Sequence, residues 1–257
     1  MASPWNPTQY ERFRNERSQP FFDLLNMVAP APGGTAVDLG CGTGELTKML
    51  HEKLRARETV GIDNSETMLA RSAEHAGDGL RFELGSVCDF TRESPVDVLF
   101  SNAALQWVDG HETVFPQLLG AVAGGGQVAI QMPANDDHAS HRVAFAVAAE
   151  EPFASAMDGY QRAWPVRPPE WYAELLDSQG FTEQSVRLQV YGHHLESRDG
   201  VIEWVKGTLL TDFEKRLTPE MYQRFLIRYR ERLMIELDDT RPFFYAFKRI
   251  LIWGRKR

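Results

Sequence analysis

The residues best suited to chemistry follow the first apolar run of the chain, in "TAVDLGCGTGELTKML", residues 35–50. Three glycines alternate with other residues between that run and a helical pattern, which predicts a strand, a tight turn and a helix start. A turn without side chains lets a ligand reach the backbone, and the following helix offers unpaired N–H groups. We therefore predict that Gly40, Cys41, Gly42 and Gly44 contact a ligand. The alternative is a strand-to-helix turn that serves packing alone.

Acidic residues stand at three successive predicted strands. Asp38 lies inside the first strand, Asp63 ends the second about 20 residues past the turn, and Asp89 follows the third. A buried carboxylate at Asp38 would repel phosphate and favour an amino group, Asp63 can accept both hydroxyls of a ribose, and Asp89 can accept from an adenine amino group. The G-x-G-x-G spacing also differs from the G-x-G-x-x-G of dinucleotide sites. A ligand with ribose, adenine and ammonium groups but no pyrophosphate is S-adenosylmethionine, which is the predicted cofactor.

The elements that must position these residues alternate along the chain. Short apolar runs and amphipathic helices from residue 35 onward predict an α/β fold with a doubly wound, mainly parallel sheet of seven strands. One helix places Phe115, Leu118, Leu119 and Val122 on one face, and the glycine run 124–126 is expected to break the chain before the next strand. The predicted segments are an N-terminal helical arm or lid (1–30), a cofactor-binding core (31–133), an insertion contributing to the lid (134–167), a core helix and strand (168–198), a helical insertion or lid (199–240) and a final core strand (241–257).

The charge balance narrows the class of partner. Lys and Arg number 28 against 36 Asp and Glu, a formal net charge of −8, which argues against nucleic acid because phosphate binding needs a basic surface. No apolar run approaches the roughly 20 residues of a membrane span. The two cysteines, Cys41 and Cys88, have no metal-ligand spacing and suit a reducing cytoplasm. We therefore expect a cytoplasmic monomer or weak homo-oligomer that acts on a small molecule and holds no metal.

Longer stretches resemble a known family. "VDLGCGTG", "VGIDNS", "GSVCDF" and "VDVLFSNAALQWV" are similar to successive motifs of class I S-adenosylmethionine-dependent methyltransferases, which have a Rossmann-like sheet. "WNPTQYERFRNERSQP", "SNAALQWV", "VAIQMP" and "RYRERL" resemble the trans-aconitate 2-methyltransferases over nearly the whole chain. The resemblance implies methylation of a carboxylate of a small polycarboxylic acid, which gives a methyl ester. The chain departs from the family pattern at Gln19, where a second arginine is expected, and at Thr43, where proline is common.

The predicted cofactor contacts lie in the turn and at the strand ends. They are Asp38, Gly40, Cys41, Gly42, Gly44, Asp63, Asn64, Met68, Asp89, Phe90, Asn102, Ala103 and Gln106. The predicted substrate contacts come from the arm, the insertion and two strand ends. They are Tyr10, Arg17, Trp107, Tyr160, Arg162, Trp164, Arg167 and His193. The aromatic residues of the arm could cover a sulfonium or simply form the apolar face of a docking helix.

No catalytic base is predicted, because a carboxylic acid with a pKa near 4 is already ionised at neutral pH. Arginines would hold the substrate's other carboxylates. Three alternatives stay open. They are a methyltransferase for another acceptor such as an acyl-carrier carboxylate or an amine, a nucleotide-dependent dehydrogenase, and a non-catalytic cofactor-binding protein.

Overall fold

The computed structural model describes residues 14–161 and 164–257, with the side chains of residues 14–17 left out. Within those ranges, seven strands form one sheet. They are β1 (Thr35–Leu39), β2 (Glu58–Asp63), β3 (Leu80–Leu84), β4 (Val96–Asn102), β5 (Val122–Pro133), β6 (Phe181–Leu195) and β7 (Phe243–Lys256). The helices are α1 (Arg14–Met27), α2 (Glu45–Leu54), α3 (Glu66–Ser72), α4 (His111–Gly120), α5 (Ala139–Ala148), α6 (Phe153–Ala156), α7 (Pro169–Ser178), α8 (Asp199–Lys206), α9 (Thr211–Glu214) and α10 (Pro219–Glu236).

The sheet has the strand order β3-β2-β1-β4-β5-β7-β6. Strands β1 to β5 run parallel to one another, and β7 runs antiparallel to β5. The order reverses direction between β1 and β4, and ligands of open α/β sheets bind at such a switch point, beyond the carboxyl ends of the strands. This arrangement confirms the predicted doubly wound, mainly parallel sheet of seven strands.

The chain divides into two compact units. The sheet unit comprises residues 18–134, 165–189 and 249–257. Of the described residues, the helical unit comprises 14–17, 135–161, 164 and 190–248. In the sheet unit, Val37, Leu39 and Val128 belong to a core on one sheet face, while Ala36, Phe100 and Ala129 join Phe21 and Leu24 of α1 on the other. In the helical unit, α5, α8 and α10 pack around aromatic side chains such as Trp204 and Phe225.

Local sequence explains the elements around the glycine turn. Strand β1 is buried along its length after Thr35, because β2 and β4 flank it and both faces are covered. Helix α2 buries Leu50 and Leu54 one turn apart, as the helical pattern predicts, and ends where Arg55 takes a left-handed conformation (φ 53°). These two elements fix both ends of the turn that carries the glycines.

The predicted break at the glycine run before the fifth strand is wrong. The glycine run 124–126 does not separate a helix from a strand, because β5 already begins at Val122, which lies opposite Val96 of β4. The register of the two strands then shifts between Val96 and Val98, and Gly125 absorbs the irregularity with a φ of +78°. Val122 is therefore a buried strand residue and not the end of the helical face.

Among the described residues, no helix has the length and apolar content needed to cross a bilayer.

Candidate cofactor site

The glycine turn connects β1 to α2 at the carboxyl edge of the sheet. Gly40, Gly42 and Gly44 have φ values of +77°, +55° and +77°, a region that side chains disfavour. A Cβ at Gly40 would lie 2.2 Å from Ala104 Cβ, and one at Gly44 would lie 2.6 Å from the Phe82 ring. A Cβ at Gly42 would meet nothing within 4 Å. Two glycines are therefore required by packing, whereas Gly42 borders open space that a ligand can enter.

Asp63, the last residue of β2, holds this turn. Its Oδ2 accepts a hydrogen bond from the Gly42 N–H at 2.9 Å, and its Oδ1 accepts one from the Ser65 N–H at 2.9 Å. Each carboxylate oxygen has two acceptor positions, so one on each oxygen is left for a ligand. Asp63 thus braces the glycine turn and can still accept two hydroxyl groups of a ribose.

Asp38 is a buried carboxylate on β1, with only 4% of its surface exposed. The Thr47 hydroxyl of α2 donates a hydrogen bond to its Oδ2 at 2.6 Å. Burial raises the pKa of Asp38 to about 7, the negative charge of Asp63 adds to the rise, and the Thr47 hydrogen bond opposes it. A cationic group brought beside Asp38 would favour the ionised form. The two carboxylates at the turn are acceptors, and they therefore fit the ammonium and the ribose hydroxyls of S-adenosylmethionine.

The next predicted contacts surround the starts of short helical segments. Asn64 is exposed and Met68 is half-buried on α3, whose N-terminus is capped by the Ser65 hydroxyl accepting from the Met68 N–H at 3.4 Å. Asp89 is exposed in a 3₁₀ turn after β3. The neighbouring Phe90 ring is 5% exposed and belongs to the hydrophobic core. The adenine contacts predicted for Asp89 and Phe90 stay predictions.

The end of β4 carries a buried polar atom that needs a partner. Among the described residues, Asn102 Oδ1 is buried and accepts no hydrogen bond. Ala103 follows with a φ of +55°, donates its N–H to the Gln131 carbonyl at 2.9 Å, and accepts from Gln106 Nε2 at 2.7 Å. Strained backbone of this kind persists where the surroundings impose it, often at ligand sites. Trp107 ends the short 3₁₀ turn after β4 and is 48% exposed.

Sequence reasoning missed the groups that hold this segment in place. His111 Nε2 donates to the Leu105 carbonyl at 3.0 Å, so its Nδ1 accepts from the Tyr172 hydroxyl at 2.7 Å. The Tyr172 oxygen in turn accepts from the Arg167 N–H at 3.0 Å. Burial lowers the pKa of His111, which keeps the ring neutral and both bonds intact. No spacing rule connects a histidine on α4 with a tyrosine on α7, so the sequence carried no signal for this network.

The predicted substrate residues are not gathered in one unit. Tyr10 and Arg162 lie outside the described residues, as does the side chain of Arg17. Arg167, in the sheet unit, is exposed and forms an ion pair with Glu112. Its contact with substrate stays a prediction.

Three more of these residues belong to the helical unit. The Tyr160 hydroxyl donates to Asp212 at 2.8 Å, the Trp164 ring lies 5.5 Å from His141, and His193 packs at 4.5 Å against Trp204. Their contacts with substrate stay predictions. Gln19, the departure noted in the arm, donates to Asp23 at 2.8 Å on the surface of α1. In the described part of the chain no three His, Cys, Asp or Glu side chains group as metal ligands would.

Known proteins match this chain along most of its length. A family model described as a methyltransferase domain matches residues 36–126, which span β1 to the start of β5. The chain is 40% identical over 253 residues to a trans-aconitate 2-methyltransferase of Deinococcus radiodurans, covering 96% of each chain. It is 36% identical to one of Variovorax paradoxus, covering 98% of this chain and 95% of the relative.

Solved structures share the fold at low sequence identity. The YcgJ protein of Bacillus subtilis aligns with a TM-score of 0.61 and 14% identity, covering 93% of this chain and 98% of that one. Phosphoethanolamine N-methyltransferase 2 of Haemonchus contortus, solved with S-adenosylhomocysteine, aligns with a TM-score of 0.55 and 17% identity, covering 92% of this chain and 52% of that one.

The near-complete alignment with relatives of this identity confirms the predicted enzyme class and its cofactor, S-adenosylmethionine. The mainly parallel seven-stranded sheet agrees with that class. The chain therefore belongs to the trans-aconitate 2-methyltransferase family of S-adenosylmethionine-dependent methyltransferases.

Proposed function

We propose that the protein transfers a methyl group from S-adenosylmethionine to a carboxylate oxygen of trans-aconitate, or of a closely related small polycarboxylic acid. The products are a methyl ester and S-adenosylhomocysteine. The observation that carries this proposal is the 40% identity to a relative of that name across 96% of both chains. At that identity and coverage, the relatives share both the cofactor core and the segments that surround it.

In this proposal, the residues of the turn bind and orient the cofactor. Asp63 accepts the ribose hydroxyls while it holds the Gly42 N–H, and Asp38 faces the ammonium group. The open space at Gly42 lets the ligand contact the backbone. When bound, S-adenosylmethionine supplies an electrophilic methyl group on a sulfonium. Asn102, whose buried oxygen has no partner among the described residues, ends β4 at the switch point of the sheet, where that methyl would be presented.

The acceptor needs no general base. A carboxyl group with a pKa near 4 is ionised at neutral pH, and no proton has to leave it during the transfer. What the site must supply is orientation of the acceptor oxygen at about 3 Å from the methyl and exclusion of the water that stabilises the carboxylate. We assign the exclusion of water to the arm (1–30), which includes Tyr10, and to the insertions (134–167 and 199–240). Arg17 and Arg162 would hold the substrate's other carboxylates. Residues 31–133 would carry the cofactor, and residues 168–198 and 241–257 would complete the core with a helix, a strand and the final strand.

The same proposal covers the partner, the oligomeric state and the cellular location. A polyanionic acid is the partner, the chain acts as a monomer or weak homo-oligomer, and nucleic acid is not bound because the net charge is −8. Cys41 and Cys88 are free thiols, which supports the cytoplasm as the place of the reaction.

A screen with isotope-labelled cofactor tests the proposal. The enzyme should convert trans-aconitate to a monomethyl ester, detected by mass spectrometry, and should convert dicarboxylates more slowly. Amines, an acyl-carrier-bound carboxylate and a reaction without acceptor serve as comparisons, and titration with NADH tests the dehydrogenase alternative. Labelled product from an amine or a carrier protein, with none from any small acid, would refute the proposed substrate class.

A further inference from the structure

A row of polar side chains crosses the carboxyl edge of the sheet from β4 to β7. Asn102, the last residue of β4, is in register with Gln131 of β5, and Arg249 of β7 pairs with Pro133, two residues further along β5. Side chains two residues apart on a strand point to the same face. The row therefore lies on the face that also carries Phe100 and Ala129. All of these residues belong to the sheet unit.

Gln131 contributes a donor that lacks an acceptor. The residue is fully buried, at 0% exposure, and its Oε1 accepts from Arg249 Nη1 at 3.4 Å. That bond orients the amide, so the Nε2 group is the one left over. Within the described ranges, Nε2 has no hydrogen-bond partner. A buried amide donor without an acceptor is costly, and a ligand oxygen would relieve that cost.

Arg249 supplies a buried positive charge beside it. Only 7% of its surface is exposed, and the guanidinium stays charged at any physiological pH. Its planar set of N–H donors matches the two oxygens of a carboxylate. An amide N–H group and a guanidinium side by side on one face form a site for an anion. In a chain of net charge −8, an anion needs such a local positive group to bind.

The spacing of the row fits an acid that carries more than one carboxylate. Neighbouring strands lie about 4.8 Å apart, so β7 is roughly 10 Å from β4 across β5. The arginine side chain bridges part of that distance, as its contact with Gln131 shows. An acid with one carboxylate beside Asn102, where the methyl is presented, would place a second carboxylate a few ångströms away at Gln131.

We propose that Arg249 and Gln131 form the specificity site for a second carboxylate of the substrate, with Arg249 as the principal cation and Gln131 Nε2 as the neutral donor. This inference rests on the proposed function, since it assigns residues to the acid-binding half of that same site. It adds to the arginines predicted from sequence, because Arg249 and Gln131 lie inside core strands and not in the arm or the insertion.

Three variants and a matched control test the assignment. Arg249→Met removes the charge and keeps much of the volume, Arg249→Lys keeps the charge without the planar donors, and Gln131→Glu replaces the donor with an anion at constant shape. Arg255→Met is the control, because Arg255 lies on the same strand and face but opposite Gln127, at the far end of β5. Steady-state kinetics with trans-aconitate are measured at saturating cofactor, and calorimetry with S-adenosylhomocysteine checks that each variant folds and binds.

Arg249→Met should raise the KM for trans-aconitate about 10- to 100-fold, the range for one lost charge-assisted hydrogen bond, with a much smaller change in kcat. Gln131→Glu should raise KM at least as much, because its carboxylate pairs with Arg249 and repels the acid. Arg249→Lys should recover part of the loss, and Arg255→Met should keep the wild-type KM. All variants should bind S-adenosylhomocysteine as the wild type does.

The outcomes separate the inference from the function beneath it. If the wild type methylates trans-aconitate while Arg249→Met and Gln131→Glu keep its KM, the inference is overturned and the proposed function stands. If Arg249→Met does not fold, an unchanged KM in folded Gln131→Glu is enough to overturn the inference. If the wild type neither methylates trans-aconitate nor binds it in the presence of S-adenosylhomocysteine, the proposed function fails first and the inference fails with it.

Discussion

Replacing Gly42 with alanine should weaken cofactor binding far more than it weakens the fold. The added Cβ would meet no protein atom within 4 Å, so its cost to the apo protein is the cost of a left-handed alanine, about 1 kcal/mol. In the complex, the same methyl group occupies the space through which the ligand reaches the backbone. Overpacking of a close contact costs about 1–3 kcal/mol, which corresponds to an increase of about 5- to 150-fold in the dissociation constant.

Gly33→Ala is the matched control for this prediction. Gly33 has a φ of +73°, and a Cβ added there would also meet no atom within 4 Å, but the residue precedes β1 and lies at the opposite end of that strand. Both variants should lose about 1 kcal/mol in urea unfolding without ligand, and only Gly42→Ala should lose affinity for S-adenosylhomocysteine in calorimetry. A folded Gly42→Ala variant with the wild-type dissociation constant would refute the view that the ligand approaches the backbone there.

Two further predictions concern the acids of the site. Asp63→Asn should weaken cofactor binding about 5- to 150-fold and lower the melting temperature. An amide has only one acceptor oxygen, whereas two backbone N–H groups and the ribose use both oxygens of the carboxylate. An unchanged affinity in calorimetry would contradict the ribose assignment. The pKa of Asp38 is raised from 3.8 to about 7, so between these pH values the native protein holds a proton that the unfolded chain has released. The free energy of unfolding should therefore fall by up to about 4 kcal/mol as pH rises from 4 to 7. Binding of the cofactor ammonium favours the ionised form, so affinity should fall up to about tenfold per unit as pH drops below 7, and Asp38→Asn should abolish both trends. A flat affinity between about pH 5.5 and 7.5 in the wild type would show that no cation binds at Asp38.

The parts of the fold that sequence predicts well are those where local pattern and burial coincide. The apolar runs "ETVGID" and "VDVLFSN" predict two strands, and β2 and β4 have the same bounds. Strands inside a parallel sheet are buried on both faces, so they read as continuous hydrophobic segments. The glycine turn is equally visible, since positive φ leaves few alternatives to glycine. The prediction fails at the glycine run 124–126, because glycine permits an irregular strand as readily as a break.

The functional residues that sequence reasoning missed have partners distant in the chain. Tyr172 joins His111 across 61 positions, and Arg249 joins Gln131 across 118. An arginine within "FFYAFKRILIWG" reads as an exposed strand residue, since arginine is seldom buried. Only the pairing of β7 with β5 brings it to the edge where the ligands bind. Alternation along one strand tells which face a residue occupies, but not what the neighbouring strand places beside it.

The strand order also sorts charge along the binding edge. Asp63 is the last residue of β2, and Asp38 is the last but one of β1. Arg249 lies on β7, three strands from β1 in the order β2-β1-β4-β5-β7. A carboxylate substrate placed over β1 would meet two acids of its own sign, and a cationic cofactor placed over β7 would meet a guanidinium. Each ligand is therefore favoured on one side and disfavoured on the other. The boundary falls at β4, where Asn102 stands, so the electrophilic methyl and the ionised acceptor can approach each other without either ligand entering the other's field.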